Sequence, residues 1–549
     1  MTTDRLSPRA ASDILSPASP DEQMPVLARP IDLASWLWLI TAVLLALALR
    51  IPFFRIPMLA DEGGYAWAAR GWIAGTGELY GDLWISRPQG IFIVYAGILE
   101  GLGTNTIAMR FAAWIAIAIT IVAVWGFTRL CATASAANLA AIIFAVTSSL
   151  PNLEGYSANA EVFMGLPAAF AALWLLRIRR TGWPAWQLLG VGILIGVSTS
   201  LKPSGLVMLP VAVAFIWLIG DGAARFARWK RTWPILTGVG LVGGLSLAHG
   251  WLLGWDDFFY ATILYRLTAQ SAATVGLMHN LEAIWRLGIR ALALIVLCGM
   301  VMVLHHRHSV ATTVRDAFRT PRNFPHVAGS RLSIALRSMR KPRNDGRFLL
   351  RLWMGGALLG AAVGGDWWAH YLIQVVAPMS VWLGWTIALT WPSLRGAVKW
   401  LYGIAATTLL LLPFWVLLHG SPNDMARAMF SHPGYPAQNE VAAFLRDNTD
   451  PTDTIYVAFD QASIYYIADR PPAYRHLYDQ ELRGIPESYA DIISIIRSPD
   501  RPKFIVSTRQ PGPFADESRA FWQEVGLYYE VVETIADVPI YQDKTTIGP

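Results

Sequence analysis

Two acidic residues stand shortly after the first long apolar segment of the sequence. Asp61 and Glu62 follow the apolar run of residues 34–51 and open a polar loop. A carboxylate at the mouth of a membrane helix can act as a general base that removes the proton of a hydroxyl group. It can also hold a divalent cation through its oxygen atoms. The alternative is that the pair caps a helix over residues 63–74, because acidic side chains favour helix N-termini.

A third carboxylate, Glu161, stands at the start of another apolar segment. An unpaired carboxylate is costly in that position, so we expect Glu161 to have a partner or a function. N-capping of the helix that follows is the alternative explanation. Glu154, earlier in the same loop, is expected to be solvated.

Cationic side chains occupy similar positions. Arg87 precedes Pro88, and an arginine can bind two phosphate oxygens at once. Lys202 lies between two apolar segments, and His370 and Tyr371 follow a pair of tryptophans. The alternatives are an Arg87 that meets lipid phosphates, a Lys202 that extends to the membrane surface and a His370 that anchors the chain at the interface.

The composition is that of an integral membrane protein. Of the 549 residues, 54% are hydrophobic and 15% are charged, and the mean hydropathy is +0.40. The first apolar segment starts too far along the chain, and lacks a small-residue cleavage site, to be a removed signal peptide. The net charge of +6 does not indicate a nucleic-acid partner, because basic residues of multi-pass proteins collect in cytoplasmic loops. The two cysteines, Cys131 and Cys298, cannot build a disulfide framework.

The apolar segments predict about eleven membrane crossings, at roughly 20 residues each. Three basic stretches, residues 177–180, 225–231 and 307–351, are predicted to be cytoplasmic. Alternation of the crossings from these stretches places all the candidate residues together on the opposite, extracytoplasmic face. Residues 90–103 are too short to cross, and they predict a juxtamembrane or re-entrant helix in the interface.

The composition changes along the chain divide it into three regions. Residues 1–33, rich in Pro, Ser, Asp and Arg, predict a disordered cytoplasmic tail. Residues 34–419 are the predicted transmembrane domain, and residues 420–549 are polar, with strand patterns at 454–458 and 503–506. The predicted fold is an all-α polytopic bundle with a small C-terminal α/β domain on the extracytoplasmic side.

Carboxylates and cations gathered on one membrane face suit a reaction between a hydroxyl group and a phosphate-activated group. In their order along the chain, the motifs resemble those of the GT-C superfamily of membrane glycosyltransferases. Within it they are similar to glycosyltransferase family 39, the protein O-mannosyltransferase-like group that includes the aminoarabinose transferase of lipid A. The resemblance covers residues 35–480 and rests on Asp61-Glu62, Arg87-Pro88-Gln89-Gly90, Asn159-Ala160-Glu161-Val162-Phe163-Met164, Lys202-Pro203-Ser204-Gly205, and His370-Tyr371-Leu372-Ile373-Gln374 with Pro378.

The resemblance implies an inverting transfer of a monosaccharide from a polyprenyl-phosphate donor. It implies catalytic roles for Asp61, the prime candidate, with Glu62 and with Glu161 as the second acid. Asp61 and Glu161 would be the ligands of a divalent metal cation if the enzyme uses one. Members of the superfamily differ in this respect, so the cofactor stays open.

The same resemblance assigns the cations to the donor phosphate. Arg87 stands where the family usually has a lysine, and it would hold the phosphate with Lys202, His370 and Tyr371. The exchange keeps the charge but changes the geometry of binding. The donor headgroup can therefore differ from that of better-known members.

The predicted protein is a glycosyltransferase of the cytoplasmic membrane that acts on a cell-envelope acceptor at the extracytoplasmic face. The sugar stays open, and the acceptor can be a lipid, a glycan or a protein. A transporter or flippase of lipid-linked glycans is the main alternative, although such proteins place polar groups and broken helices near the bilayer midplane. A non-catalytic scaffold or sensor would leave the clustered charges unexplained.

Overall fold

The computed structural model describes residues 32–268, 277–319, 342–363, 367–430, 433–458, 461–508 and 515–547. The predicted disordered tail therefore lies outside the described residues, apart from its last two positions. Leu33, the last of them, already belongs to the first helix. Part of the predicted cytoplasmic stretch 307–351 also lies outside these ranges.

The region up to residue 419 is helical, as predicted. Its helices are α1 (Leu33–Arg50), α2 (Ala60–Ala74), α3 (Gln89–Gly101), α4 (Thr106–Cys131), α5 (Ala134–Thr147), α6 (Ala160–Thr181), α7 (Ala185–Leu201), α8 (Met208–Leu218), α9 (Arg225–Leu252), α10 (Trp255–Phe259), α11 (Leu277–Arg290), α12 (Leu292–Arg319), α13 (Pro342–Val363), α14 (Ile373–Thr390) and α15 (Gly396–Leu411). A π-helical turn, Tyr260–Leu264, follows α10.

Eight helices in the described parts of the chain are long and apolar enough to cross a membrane, and four shorter apolar helices accompany them. α5, α7 and the helical segment ending in α8 are the three further crossings predicted, but they are shorter than these eight, so the number of eleven stays a prediction. The fourth short helix is α3, which the sequence predicts to lie in the interface. The structure thus confirms a multi-pass helical bundle.

Local sequence signals start several of these helices. The side chains of Asp32, Asn105 and Thr133 each accept a hydrogen bond from the backbone N–H three residues further on, at 3.0, 2.9 and 3.2 Å. Such N-caps satisfy N–H groups that have no partner within the helix. They fix where α1, α4 and α5 begin.

Glycines allow two of the crossing helices to pack closely. A Cβ atom on Gly192 of α7 would collide with the carbonyl group of Ile235 in α9, and one on Gly238 of α9 would collide with that of Leu189. Small residues at such positions let membrane helices approach backbone to backbone. The backbones of α7 and α9 are therefore in close contact at these two positions.

The C-terminal region is a small α/β domain, again as predicted. Its helices are α16 (Pro422–Met429), α17 (Gly434–Asp447), α18 (Ser463–Ala468), α19 (Asp479–Gly484), α20 (Ser488–Arg497) and α21 (Ala515–Tyr528), and its strands are β1 (Ile455–Ala458), β2 (Phe504–Ser507), β3 (Tyr529–Ile535) and β4 (Val538–Asp543). The sheet has the order β1-β2-β4-β3, with β1 parallel to β2 and β4 antiparallel to both neighbours.

Helices cover both faces of the sheet at β1 and β2. Along β1, Ile455 and Val457 belong to the core with α17 and α18, whereas Tyr456 packs on the side of α20 and α21. All residues of β1 and β2 are buried, which is typical of strands enclosed on both faces.

The C-terminal domain packs directly on α2. A Cβ atom on Gly63 would overlap the backbone of Ser463, and the Gln438 amide donates a hydrogen bond to the carbonyl oxygen of Met58 (3.0 Å). Arg70 of α2 forms an ion pair with Asp469 at 2.9 Å. The helix that carries Asp61 is therefore held by both domains.

Candidate active site

The two acidic residues at the start of α2 have different surroundings. Glu62 is fully buried, and its carboxylate accepts hydrogen bonds from the Arg110 guanidinium (2.7 Å) and from the backbone N–H groups of Leu59 (2.9 Å) and Ala158 (2.8 Å). The side chain of Asp61 is 24% exposed. The geometry favours Asp61 as the carboxylate that meets a substrate, and it favours a structural role for Glu62 over the catalytic one predicted.

Two arginines inside the bundle hold the polar loops in place. Arg110 also donates hydrogen bonds to three carbonyl oxygens in the segment 53–57, at 2.6 to 3.0 Å. Arg50 donates to the carbonyl oxygens of Ser148 (2.6 Å) and Gly155 (3.0 Å). Hydrogen bonds of this kind offset part of the cost of burying a charge, and Arg110 is also paired with Glu62. The sequence gives a sign of both, because a charge within an apolar segment needs partners, but neither was predicted.

Arg87 lies next to Asp61, as the predicted mechanism requires. Its Nη2 atom is 4.0 Å from Asp61 Oδ1, and its Nε–H donates a hydrogen bond to the Tyr65 hydroxyl oxygen at 2.9 Å. The hydroxyl of Tyr80 donates in turn to the Arg87 backbone oxygen (2.9 Å). Tyr65 was not predicted, although it lies one helical turn after Asp61 and so shares its face of α2.

A second ion pair joins Glu161 to Lys202. Glu161 lies buried in the first turn of α6, and the Lys202 ammonium donates a hydrogen bond to its carboxylate. The same ammonium is 3.9 Å from the centre of the Tyr371 ring, a cation–π contact. Burial lowers the pKa of Lys202 to about 8, against the opposing effect of Glu161.

The His370 ring lies among three carboxylates, those of Asp61, Glu154 and Glu161. Its Nε2 atom is 3.9 Å from Asp61 Oδ2 and 3.8 Å from Glu161 Oε1, and its Nδ1 atom is 2.8 Å from Glu154 Oε2. The 3₁₀ turn Ala369–Leu372 presents this ring at the start of α14. The imidazole of His370 thus lies between Asp61 and Glu161, the two acids that the sequence predicts.

The prediction for Glu154 is wrong. The residue is 9% exposed, and beside His370 it lies 3.8 Å from the Arg290 guanidinium. Burial by itself would raise the pKa of the Glu154 carboxyl, but His370 and Arg290 outweigh this effect and hold the pKa below its usual range. Only the fold, which brings α11 and α14 against this loop, supplies these partners.

A further cation, Arg266, reaches the same place. It follows the π-helical turn Tyr260–Leu264, and its guanidinium donates to the hydroxyl (3.0 Å) and the carbonyl oxygen of Ser86. It lies close enough to Arg87 and Lys202 for their charges to repel. Turns of this kind are frequent at functional sites, but this one is visible only in the structure, and the sequence analysis did not predict Arg266.

We call this group of side chains the charged cluster. It consists of Asp61, Arg87, Glu154, Glu161, Lys202, Arg266, His370 and Tyr371. Three carboxylates lie among three cationic side chains, those of Arg87, Lys202 and Arg266, and one imidazole. Such an arrangement can bind an anionic group and leave one accessible carboxylate, that of Asp61, beside it.

The cluster fits a divalent metal poorly. Within the described ranges, no three His, Cys, Asp or Glu side chains form a set that could hold a metal ion. Glu161 is already neutralised by Lys202, and His370 lies between Glu161 and Asp61. The metal ligands implied by the resemblance stay a prediction.

The C-terminal domain contributes two residues near the cluster. The Tyr478 hydroxyl donates a hydrogen bond to the carbonyl oxygen of Ala60 (3.3 Å), directly before Asp61. Glu481 is buried beneath it and accepts a hydrogen bond from the Leu477 N–H (3.1 Å). Burial raises the pKa of the Glu481 carboxyl to about 8, although Arg87 and Arg266 act in the opposite direction. The domain therefore forms part of the wall around Asp61.

Residues 86–251 match the family model of the dolichyl-phosphate-mannose-protein mannosyltransferases. This region carries Arg87, Glu161 and Lys202. No curated protein sequence matches the chain significantly.

Solved structures show the same fold over nearly the whole chain. ArnT from Cupriavidus metallidurans, in a structure bound to undecaprenyl phosphate, is 12% identical, and the match covers 94% of this chain and 100% of ArnT with a TM-score of 0.58. The oligosaccharyltransferase AglB from Archaeoglobus fulgidus, in complex with an inhibitory peptide and a dolichol-phosphate, is 14% identical, and the match covers 86% of this chain and 69% of AglB with a TM-score of 0.50. Residues 86–251 are thus similar to this mannosyltransferase family, and nearly the whole chain has the fold of ArnT and AglB.

Proposed function

We propose that the protein transfers a monosaccharide from a polyprenyl-phosphate donor to a hydroxyl group of a cell-envelope acceptor, with inversion at the anomeric carbon and on the extracytoplasmic face of the cytoplasmic membrane. One observation carries the proposal. Asp61, the most exposed carboxylate of the charged cluster, lies 4.0 Å from the Arg87 guanidinium, with Lys202 and Arg266 nearby.

The residues divide between the two ends of the reaction. Arg87, Lys202 and Arg266 bind the donor phosphate and neutralise the charge that develops on it as the bond between the anomeric carbon and the phosphate oxygen breaks. Asp61 takes the proton of the acceptor hydroxyl, whose oxygen forms the new bond to the anomeric carbon. Attack from the side opposite the phosphate inverts the configuration. The products are the glycosylated acceptor and polyprenyl phosphate.

His370 and Glu161 act through their neighbours. Glu161 holds Lys202 in place, and Glu154 fixes the orientation of the His370 ring through the 2.8 Å contact. His370 then faces both Asp61 and Glu161 with its Nε2 atom. We assign these residues positioning roles.

Two relatives support a lipid-linked donor. ArnT from Cupriavidus metallidurans was solved with undecaprenyl phosphate, and AglB from Archaeoglobus fulgidus with a dolichol-phosphate. Both ligands are long isoprenoid phosphates, the class of leaving group that the proposed reaction releases.

The test compares Asp61→Asn with Asp82→Asn, a matched exchange at an exposed position further along the same polar loop. Release of polyprenyl phosphate from a radiolabelled polyprenyl-phosphate sugar is measured with membranes that contain equal amounts of each protein. We expect the Asp61 variant to lose about 10²–10⁴-fold of the rate, the usual contribution of a general base. The Asp82 variant should keep it.

An unchanged rate in Asp61→Asn would remove the assigned base. Movement of the intact lipid-linked sugar across the membrane, without release of the sugar from its phosphate, would favour the transporter alternative.

A further inference from the structure

A helix beside the charged cluster has an exposed apolar face. α11 packs on the bundle through Ala283, which is buried, and Leu287, which is half-buried against the core. At 3.6 residues per turn, the opposite face carries four apolar side chains spaced three and four residues apart. They are between 51% and 79% exposed, and we call them the apolar stripe: Met278, Leu281, Trp285 and Ile289.

The flank of α11 between these two faces is charged. Glu282 and Arg286, one helical turn apart, are both exposed and form an ion pair at 3.7 Å. Arg290 follows one turn later on the same flank. An apolar face beside a charged one is typical of a helix that lies in a membrane surface with its apolar side in the lipid. At 14 residues, α11 is also shorter than the roughly 20 residues that a crossing needs.

The apolar stripe adjoins a helix that can span the membrane. Only Ala291 separates α11 from α12, whose segment Leu292–Val310 is one of the eight long apolar helices. The start of α12 exposes Leu292, Ile295 and Val296. The apolar surface of α11 is therefore continuous with the membrane-facing surface of α12, and the occupant that fits both is a lipid leaflet.

The C-terminal end of α11 reaches the charged cluster. The backbone oxygen of Arg290 accepts a hydrogen bond from the Asn152 side chain, and its guanidinium lies 3.8 Å from Glu154 Oε1. The other carboxylate oxygen of Glu154 is 2.8 Å from His370 Nδ1. His370 Nε2 in turn lies 3.9 Å from Asp61 Oδ2. A series of charged contacts thus leads from α11 to Asp61.

We propose that α11 lies in the leaflet on the side of the charged cluster, with the apolar stripe in the lipid, and that this position holds Arg290 against Glu154. Glu154 then keeps the His370 ring in the orientation in which Nε2 faces Asp61 and Glu161. Arg290 is a positioning residue, because it acts through Glu154 and His370. Its effect on transfer rests on the proposed function, whereas the place of α11 in the lipid does not.

The first test locates two sides of α11 in phospholipid vesicles. Leu281→Cys on the apolar stripe and Arg286→Cys on the charged flank are made separately in the full-length protein without Cys131 and Cys298, and each is labelled with bimane. We expect nitroxide groups on the acyl chains to quench the label at position 281 about threefold more strongly, since the apolar side of such a helix enters the boundary between headgroups and acyl chains. Iodide in the water should quench the label at position 286 more strongly.

Equal lipid quenching at the two positions, or stronger lipid quenching at position 286, would overturn the proposal. So would lipid quenching at position 281 that appears only when the protein is diluted to single molecules in the vesicles, because a second copy of the chain would then cover the stripe.

The second test asks whether the apolar stripe acts through Arg290. Leu281→Gln with Trp285→Gln weakens the contact with lipid, and Arg290→Gln removes the contact with Glu154. We expect each change to slow the release of polyprenyl phosphate about tenfold, since small errors in position are costly to catalysis. The combined variant should be no slower than Arg290→Gln alone, because changes that act through one contact do not add. Trp186→Gln, at a tryptophan of similar exposure at the start of α7, should keep the rate.

Losses that multiply in the combined variant would contradict an action through Arg290. The quenching measurement decides the place of α11 even if the unaltered protein releases no polyprenyl phosphate. A failure of the proposed function is therefore distinguishable from a failure of this inference.

Discussion

At the scale of residues, the protein has charged side chains that are fully enclosed and others that stay accessible. Glu62 and Arg110 are fully buried and bond each other and the loop backbone, so they are unavailable to a ligand. Asp61, the neighbour of Glu62 in sequence, points the other way and stays accessible. Adjacent carboxylates on a helix start lie about 100° apart around the axis, since a turn has 3.6 residues. One is therefore enclosed by its partners, and the other stays open to a substrate.

The protonation of Lys202 should limit the transfer rate at alkaline pH. Its pKa, lowered by burial to about 8, means that the ammonium loses its proton as the pH rises above this value. We expect the transfer rate to be highest below pH 8 and to fall above it, because a neutral amine binds the donor phosphate weakly.

The pH profile of Lys202→Arg provides the control. A guanidinium stays charged throughout this range, so the alkaline fall should be absent or moved upward even if the maximal rate is lower. The same alkaline limit in both proteins would assign the titration to another group.

At the scale of elements, α2 is the part that the rest of the molecule positions. Its N-terminus carries Asp61, its inner face contacts the bundle through Tyr65, and its glycines meet the C-terminal domain. Gly64 lies against the C-terminal domain, and a Cβ atom on it would collide with the Tyr478 hydroxyl. The absence of a side chain thus lets Tyr478 reach the carbonyl oxygen of Ala60.

We expect Gly64→Ala to displace Tyr478 and to tilt the start of α2. The transfer rate should fall on the order of 10–100-fold, since small errors in position are costly to catalysis. Gly97→Ala in α3 is the matched control, because a Cβ atom there meets nothing within 4 Å. Rates are measured at equal protein levels, with limited proteolysis to follow the C-terminal domain. An unaffected Gly64 variant would show that this contact does not position Asp61.

At the scale of the whole molecule, the charged cluster and the basic loops lie at opposite ends of the bundle. α14 runs from the His370 turn to Thr390, and α6 runs from Glu161 to the basic residues Arg179 and Arg180. Each helix thus carries the cluster at one end and the basic face at the other. Because positive loops are retained in the cytoplasm, we infer that the cluster and the C-terminal domain face outward.

Single cysteines test this orientation in a variant that lacks Cys131 and Cys298. We expect a cysteine at the exposed Glu440 to react with a membrane-impermeant maleimide in intact cells or in spheroplasts. A cysteine at the exposed Lys230 should react only after the membrane is permeabilised. The reverse pattern would place the proposed reaction in the cytoplasm.

The sequence by itself determined the architecture. Long apolar segments must become membrane helices because water-free surroundings force backbone groups to bond within the segment, and the alternating patterns at 454–458 and 503–506 became β1 and β2. Charges at the ends of apolar segments also identified Asp61, Arg87, Glu161, Lys202 and His370. In the structure, each of these side chains lies within about 4 Å of another member of the set.

Only the tertiary structure decided which role each side chain can take. Whether Glu154 is solvated or paired depends on His370, which is more than two hundred residues away in sequence. Glu62 is enclosed because Arg110 and the Ala158 N–H converge on it, and Arg266 reaches the cluster because Ser86 lies beside its helix. The free energy of a charge depends on its neighbours in space and on its access to water, and neither quantity is fixed by local sequence.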